Sequence, residues 1–333
     1  MSMMCPVCMQ QKDDSVKGVR CQVCGFEHAY VEYFGSKKSL ELWENEVAKL
    51  RPLKLRGLYA LRRPMVLGKE KLFWRLPNNE ILIFDENGVE LKNDIRRYSE
   101  SERNSAILHK DGKIDVFGDN SYGQCNIGVV DTAATILCGP NCTYVVNKDG
   151  SIQVFGALID NQIKKWNDIS RLSCGAFHLL GLTNDKRVRI AGEGLEESII
   201  RKVSNWRNVK SVCAATDCSV ALFEDGTVSF AGRPDDPRSE SESWTKIVSV
   251  KADASFVYGL TSEGTIKVAG KCRKMLDGGR SDVIDWKNVI ALECNGSAVV
   301  GLFDEHRLKI AGKFNGDGET LCTNFNEYFI NKE

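Results

Sequence analysis

The sequence has no run approaching the ~18 to 20 apolar residues that cross a bilayer, and its opening MSMMCPVC lacks a basic stretch leading into an apolar one. Membrane spanning and secretion are therefore not expected, and the expected location is cytoplasmic. Net charge is also missing, since Lys+Arg and Asp+Glu both number 45. The chain as a whole is not a polyelectrolyte of the kind that holds nucleic acid nonspecifically. Histidine is scarce, with four copies, and none sits in a context that pairs a nucleophile with a base. The nearest approach to a phosphate loop, Gly264 to Cys272, places five residues between its glycines and a cysteine where a metal-binding hydroxyl belongs. No catalytic residue and no small-molecule substrate are expected, and the chain reads as a non-enzyme.

Cysteine, by contrast, is plentiful at thirteen. Without an export signal this points to a reducing compartment, where thiols serve as metal ligands or small core residues. Four of them form a pattern: Cys5-Pro-Val-Cys8, twelve residues, then Cys21-Gln-Val-Cys24-Gly25. Two residues between the thiolates of each knuckle let both reach one ion at ~2.3 Å, and a glycine after the second knuckle permits the turn that aims backbone N–H groups at sulfur. Cys5, Cys8, Cys21 and Cys24 are thus expected to hold zinc. Four protein ligands leave no open coordination position, so the site is structural, and metal binding supplies the folding energy that so small a unit lacks. His28 is read as a surface or packing residue. Residues 1 to 35 resemble a zinc ribbon.

Residues 36 to 57 are expected to form an amphipathic helix and a basic connector. Leu40, Trp43, Val47 and Leu50 recur at helical spacing after Ser36 and before Pro52. Residues 1 to 75 carry fourteen Lys/Arg against eight Asp/Glu, which offsets an equal acidic excess in the remainder.

The rest of the chain, residues 58 to 333, is periodic. An apolar residue, any residue, an apolar residue and, two further on, a glycine recur at Ile114/Val116/Gly118, Ile152/Val154/Gly156, Val188/Ile190/Gly192, Val228/Phe230/Gly232, Ile266/Val268/Gly270 and Leu308/Ile310/Gly312. A tight-turn pair precedes each copy, and before each turn runs a strand ending in Leu108, Val146, Leu182, Leu222, Leu260 or Leu302. This is a β-hairpin repeated six times. A seventh, degenerate copy places Ile81 and Ile83 after Asn78-Asn79, with Asp85 at the glycine position. A second signature, Trp166-Asn-Asp-Ile, Trp206-Arg-Asn-Val, Trp244-Thr-Lys-Ile and Trp286-Lys-Asn-Val, holds the same register. Cys138, Cys174 and Cys294 share one small-residue position with Ala214 and Ala252 and read as core thiols. Units of this length made of short strands are what propeller blades require. Phe325-Asn-Glu-Tyr328 falls one repeat after Trp286, where the chain stops short of the inner strands that should follow. Those strands are available between Leu58 and Leu76, so the two ends are expected to share a blade.

The segments GDNSYGQCNIG (Gly118 to Gly128) and WNDISRLSCGAFHLLGL (Trp166 to Leu182) resemble the regulator of chromosome condensation repeat, with its glycine-asparagine-glycine-glutamine turn and glycine-x-x-histidine strand. The resemblance implies an all-β fold: a seven-bladed β-propeller over residues 58 to 333. The family histidine is present as His178 only; Asn104, Cys142, Cys218, Phe256 and Ala298 stand in its other places. An exchange or catalytic surface built on repeated histidines is therefore not implied.

The expected function is a cytosolic scaffold that binds a protein partner through propeller loops, with the ribbon as a second docking element. The loops after Gly192, Gly232 and Gly270 vary in length and charge while the strands keep period. Arg233, Arg238, Arg273 and Lys274 are the expected partner-binding residues, arginine being enriched at interaction hot spots. The alternatives are a nucleic-acid-associated factor working through the ribbon and basic connector, and a guanine nucleotide exchange factor for a small GTPase, a role that similar propellers fill. Elemental analysis of protein purified without chelator is expected to give one zinc per chain, and substituting Cys21 by serine to remove it.

Overall fold

The computed structural model describes residues 65 to 75, 80 to 273, 277 to 303 and 307 to 330. The four expected zinc ligands, the helix expected between 36 and 57 and Lys274 lie outside the described residues.

Each hairpin signature becomes two strands of an antiparallel meander. The first sheet has four strands: β1 (Met65–Leu67), β2 (Leu72–Arg75), β3 (Ile81–Asp85) and β4 (Gly88–Lys92). Six three-stranded sheets follow. They are β5 to β7 (Ile95–Glu100, Asn104–His109, Ile114–Gly118), β8 to β10 (Ala133–Cys138, Cys142–Asn147, Ile152–Gly156) and β11 to β13 (Ile169–Cys174, His178–Thr183, Val188–Gly192). Next come β14 to β16 (Val209–Ala214, Ser219–Phe223, Val228–Ala231), β17 to β19 (Ile247–Ala252, Phe256–Thr261, Ile266–Gly270) and β20 to β22 (Val289–Cys294, Ala298–Phe303, Leu308–Gly312). Seven sequential antiparallel sheets are the composition of a seven-bladed propeller. Among the described residues the α-helices are α1 (Glu197–Ser204) and α2 (Gly318–Ile330).

The repeated residues have repeated jobs. Every first strand of the six later sheets opens with the same bulge, one residue after Ile95, Ala133, Ile169, Val209, Ile247 or Val289. The glycine that closes the third strand lies against the turn between the first two: a Cβ on Gly118, Gly156, Gly270 or Gly312 would stand 2.1 to 2.5 Å from a backbone oxygen of that turn. Only glycine permits that approach. The repeat tryptophans cover a second glycine, in the middle strand of their own sheet. Cβ atoms on Gly181, Gly259 and Gly301 would collide with the rings of Trp166, Trp244 and Trp286 at 2.6 to 2.8 Å.

The core lies between sheets. Tyr144, Val146 and Ile152 pack with Trp166, Ile169 and Leu179 of the following sheet, and the same arrangement recurs along the chain. Middle strands are buried along their whole length, as in Cys142–Asn147 and His178–Thr183, because both of their faces meet a neighbouring sheet. Of the cysteines expected in the core, Cys138 is buried, with its thiol pushed up to about 12 by loss of water, and Cys174 and Cys294 are half-buried.

The first and last sheets meet in one cluster, where Met65, Leu72, Trp74 and Phe84 pack on Ile290, Val300 and Leu302. The two ends of the chain do share this region, but in a different way from the sequence expectation. All four strands of the first sheet come from the N-terminal side, and Phe325 to Tyr328 lie on helix α2, where a tryptophan-type turn into a strand was expected. Asp317 caps that helix through the N–H groups of Glu319 and Thr320 at 3.0 and 3.1 Å. Asn324 Nδ2 donates to Asp85 O at 2.9 Å and Asn326 Oδ1 accepts from Leu308 N at 2.8 Å, which ties the helix to both sheets. The register survives in the side chains. Phe325, at the tryptophan position, packs edge-on against Trp74, at the glycine position, with ring centroids 5.3 Å apart. The bulky and small partners have exchanged places. Phe325 is fully buried, so Phe325→Ala is expected to cost about 4 kcal/mol in denaturant unfolding; a cost under about 1 kcal/mol would show that α2 does not close the ring.

Candidate interaction face

In a three-stranded meander the first and third strands end at the same edge of the sheet. The turns after β5, β8, β11, β14, β17 and β20 and the loops after the repeat glycines therefore share one face of the ring, and the hairpin turns lie on the other. The loops after Gly192, Gly232 and Gly270 leave that face from three consecutive sheets, as their sequence positions imply.

Of the expected partner-binding residues, Arg238 is the one the structure moves to a different role. It is 5% exposed. It lies in a short 3-10 turn, Pro237–Ser243, where Nε donates to Asp236 Oδ1 at 2.9 Å, Nη2 to Asp217 Oδ1 at 2.6 Å and Nη1 to Ala254 O at 3.0 Å. Burial opposes its charge, but the bonds to Asp236 and Asp217 override that and set its pKa above the ordinary arginine value. Its stem also covers Gly270, whose Cβ would lie 3.0 Å from Arg238 Cγ. Arg238 therefore pins one sheet to the next and is not available to a partner.

Arg280 repeats the arrangement one sheet later. It is 5% exposed, donates through Nη1 to Asp253 Oδ2 and Gly296 O at 2.8 Å each, and covers Gly312. Both arginines stand six residues before a repeat tryptophan and are followed by serine, Arg238-Ser239 with Trp244 and Arg280-Ser281 with Trp286. That shared register was a sequence signal for a structural role. In the third sheet the equivalent place against Gly156 is taken by the buried Gln124.

The family histidine position serves the same purpose. His178 is buried, and its Nε2 shares a hydrogen bond with Ser219 Oγ, 2.9 Å away in the next sheet. Burial lowers its pKa to about 4, so the ring is neutral at physiological pH. Ser219 is fully buried, which leaves this serine-histidine pair without an approach for a substrate. Asn104, at the equivalent position two sheets earlier, donates to Thr143 Oγ1 at 3.0 Å, again across a junction.

On this face exposed cations follow the repeat glycines of the last three sheets. The residue directly after the glycine is Asp119, Ala157, Glu193, Arg233, Lys271 and Lys313 in successive sheets. Arg233, Lys271, Arg273 and Lys313 are exposed, and none makes an ion pair or side-chain hydrogen bond among the described residues. Arg233 and Lys271 border an open pocket of about 290 Å³ whose floor includes Asp236 and Arg238. Arg233 and Arg273 are thus exposed; Lys271 and Lys313, exposed on the same face, are single lysines beside glycine and carry no distinguishing pattern in sequence.

Because Arg238→Ala would strip Asp236 and Asp217 of their counter-charge inside a junction, it is expected to destabilise the fold by about 3 kcal/mol. Arg233→Ala, a surface change, is expected to stay within about 0.5 kcal/mol. Urea unfolding of the two variants gives the comparison, and equal midpoints would refute the assigned division.

No protein-family model matches the chain, and no curated protein is similar to it in sequence. Solved structures are similar in fold. The CRINKLY WD40 ectodomain of the Arabidopsis thaliana receptor kinase ACR4 superposes with a TM-score of 0.58 at 11% identity, over 76% of this chain and 95% of that one. The ectodomain of the Physcomitrella patens receptor kinase CR4 gives a TM-score of 0.56 at 15% identity, over 74% and 72% of the two chains. Yeast RCC1 (Prp20), in its complex with Kap60, gives a TM-score of 0.50 at 13% identity, over 79% and 82%. What the chain has in common with all three is the propeller fold.

Proposed function

We propose that this protein is a non-enzymatic interaction module that binds an acidic segment of a protein partner on the face carrying the post-glycine loops. The observation that supports this reading is the set of exposed cations Arg233, Lys271 and Lys313, directly after the repeat glycines of three consecutive sheets, with Arg273 two residues beyond Lys271; none is paired among the described residues, and the preceding sheets fill the post-glycine position with Asp119, Ala157 and Glu193. Charge segregated by sheet steers an oppositely charged partner to one side of a ring. Lys274, next to Arg273 in sequence, belongs to the same reading. Yeast RCC1, similar in fold, is a propeller solved with another protein bound, which fits an interaction role. The four-cysteine ribbon with its zinc is the second docking element, and a cytoplasmic setting accords with the thiol-rich chain.

The test is affinity capture by the full chain from a cytoplasmic extract, compared with a variant carrying Arg233→Ala, Lys271→Ala and Arg273→Ala. These exposed substitutions are expected to leave the unfolding midpoint nearly unchanged. They should remove the salt-sensitive partner that the parent chain retains. Retention of the same partner by the variant, together with its loss on deleting residues 1 to 57, would overturn the face assignment in favour of the ribbon.

A further inference from the structure

In six sheets the middle-strand residue that pairs with the first residue of the third strand, beside the hairpin turn, is a buried aliphatic: Leu108, Val146, Leu182, Leu222, Leu260 and Leu302 are each no more than 5% exposed. The pairing of β2 with β3 puts Arg75 at this position in the first sheet, opposite Ile81, just as Leu302 stands opposite Leu308. Arg75 is half-buried there. Its Nη2 reaches the carbonyl oxygen of Arg96 at the start of β5, and Arg97 Nη1 donates to the same oxygen at 3.0 Å. Arg96 extends the other way and donates through Nη1 to Ala133 O at 2.9 Å in the third sheet. Arg96 and Arg97 are half-buried too. Three guanidiniums are therefore gathered where the first three sheets meet on the hairpin-turn face. Their only hydrogen-bond partners among the described residues are backbone carbonyls, and none of the three makes an ion pair with a carboxylate there.

This contrasts with Arg238 and Arg280, each of which is buried with its own aspartates. Gathering like charges in a half-buried site without counter-charge is costly. The strain registers on the groups themselves: burial, then the charges of Arg97 and Arg96, lower the Arg75 pKa to about 10, and burial with the Arg96 charge lowers that of Arg97. Among the described residues a carbonyl oxygen occupies one of the five N–H donors on each guanidinium and leaves the remainder for an acceptor of opposite charge. Planar forks of this kind match the oxygens of phosphate.

We infer that Arg75, Arg96 and Arg97 form a binding site for a small phosphate-bearing anion on the hairpin-turn face of the ring. The site lies at the edge opposite the post-glycine loops, so it stands independently of the proposed partner surface. A phosphate there would supply the counter-charge that no described carboxylate provides, and would join the first, second and third sheets through one ligand. Both a free inorganic phosphate and the phosphate group of an ester carry this chemistry.

Calorimetric titration of the full chain with inorganic phosphate, inorganic pyrophosphate and glycerol phosphate, each at constant ionic strength, tests the inference and distinguishes the sources. Saturable binding of one anion per chain is expected, strongest for the species the site is built for. Arg75→Leu restores the residue found in the other sheets. It is expected to keep or raise the thermal midpoint without ligand, to weaken binding about tenfold or more, and to lose the rise in midpoint that phosphate gives the parent chain. Arg97→Gln provides a second reading in which the strand position stays polar but uncharged and the guanidinium fork is lost. No saturable heat from any of the three anions up to ~10 mM, a weakness beyond which binding has little meaning, would overturn the proposal. So would undiminished binding by both variants, or a midpoint rise that sodium chloride of equal ionic strength reproduces.

Discussion

Every feature of this fold follows from one constraint: a three-stranded sheet of this size has two apolar faces and can cover neither by itself. Middle strands such as His178–Thr183 are buried at every residue, so each sheet must lie between two others. The constraint propagates around the ring until the first sheet has to meet the last. It also explains why the hydrophobic clusters are shared by neighbouring sheets and are not internal to any one.

Apolar packing leaves sliding between sheets weakly opposed, and single polar side chains resist it. Asn104 reaches Thr143, His178 reaches Ser219, Arg238 and Arg280 each cross to the next sheet, and Asn295 Nδ2 donates to Gly68 O at 2.8 Å where the last sheet meets the first. Directional bonds of this type fix the relative position of two surfaces that van der Waals contact alone leaves adjustable. These bonds come from different positions of the repeat and use different chemistry, so the repeat looks degenerate at them while its glycines and tryptophans keep their spacing.

Charge is partitioned by the same logic. Arg238 and Arg280, which cross a junction, are matched by aspartates and are spent on the fold, whereas the cations placed directly after the glycines are exposed and unpaired among the described residues. Arg75, Arg96 and Arg97 fit neither group, since among the described residues they are paired with backbone carbonyls and with no carboxylate. What stands opposite the guanidinium thus separates these arginines from one another.

The sequence alone determined the number of repeats, the strand order within each and the positions of the turns, because these follow from a period-two apolar pattern and from glycines that no other residue can replace. It also placed Arg233 and Arg273 on one face, since loops leaving equivalent points of successive sheets must share an edge. The destination of Arg238 was decided by tertiary structure: whether an arginine faces water or an aspartate from the adjoining turn depends on how two sheets dock, although its shared register with Arg280 held a trace of the answer. The C-terminal closure was half legible. Phe325 kept the tryptophan position, but with Trp74 in place of a glycine beneath it the segment was free to become a helix, since what it must supply is a buried ring and not a hydrogen-bonded edge. The three-arginine cluster could not be read from the chain, because it joins residues of separate strands whose proximity exists only once the sheets have packed.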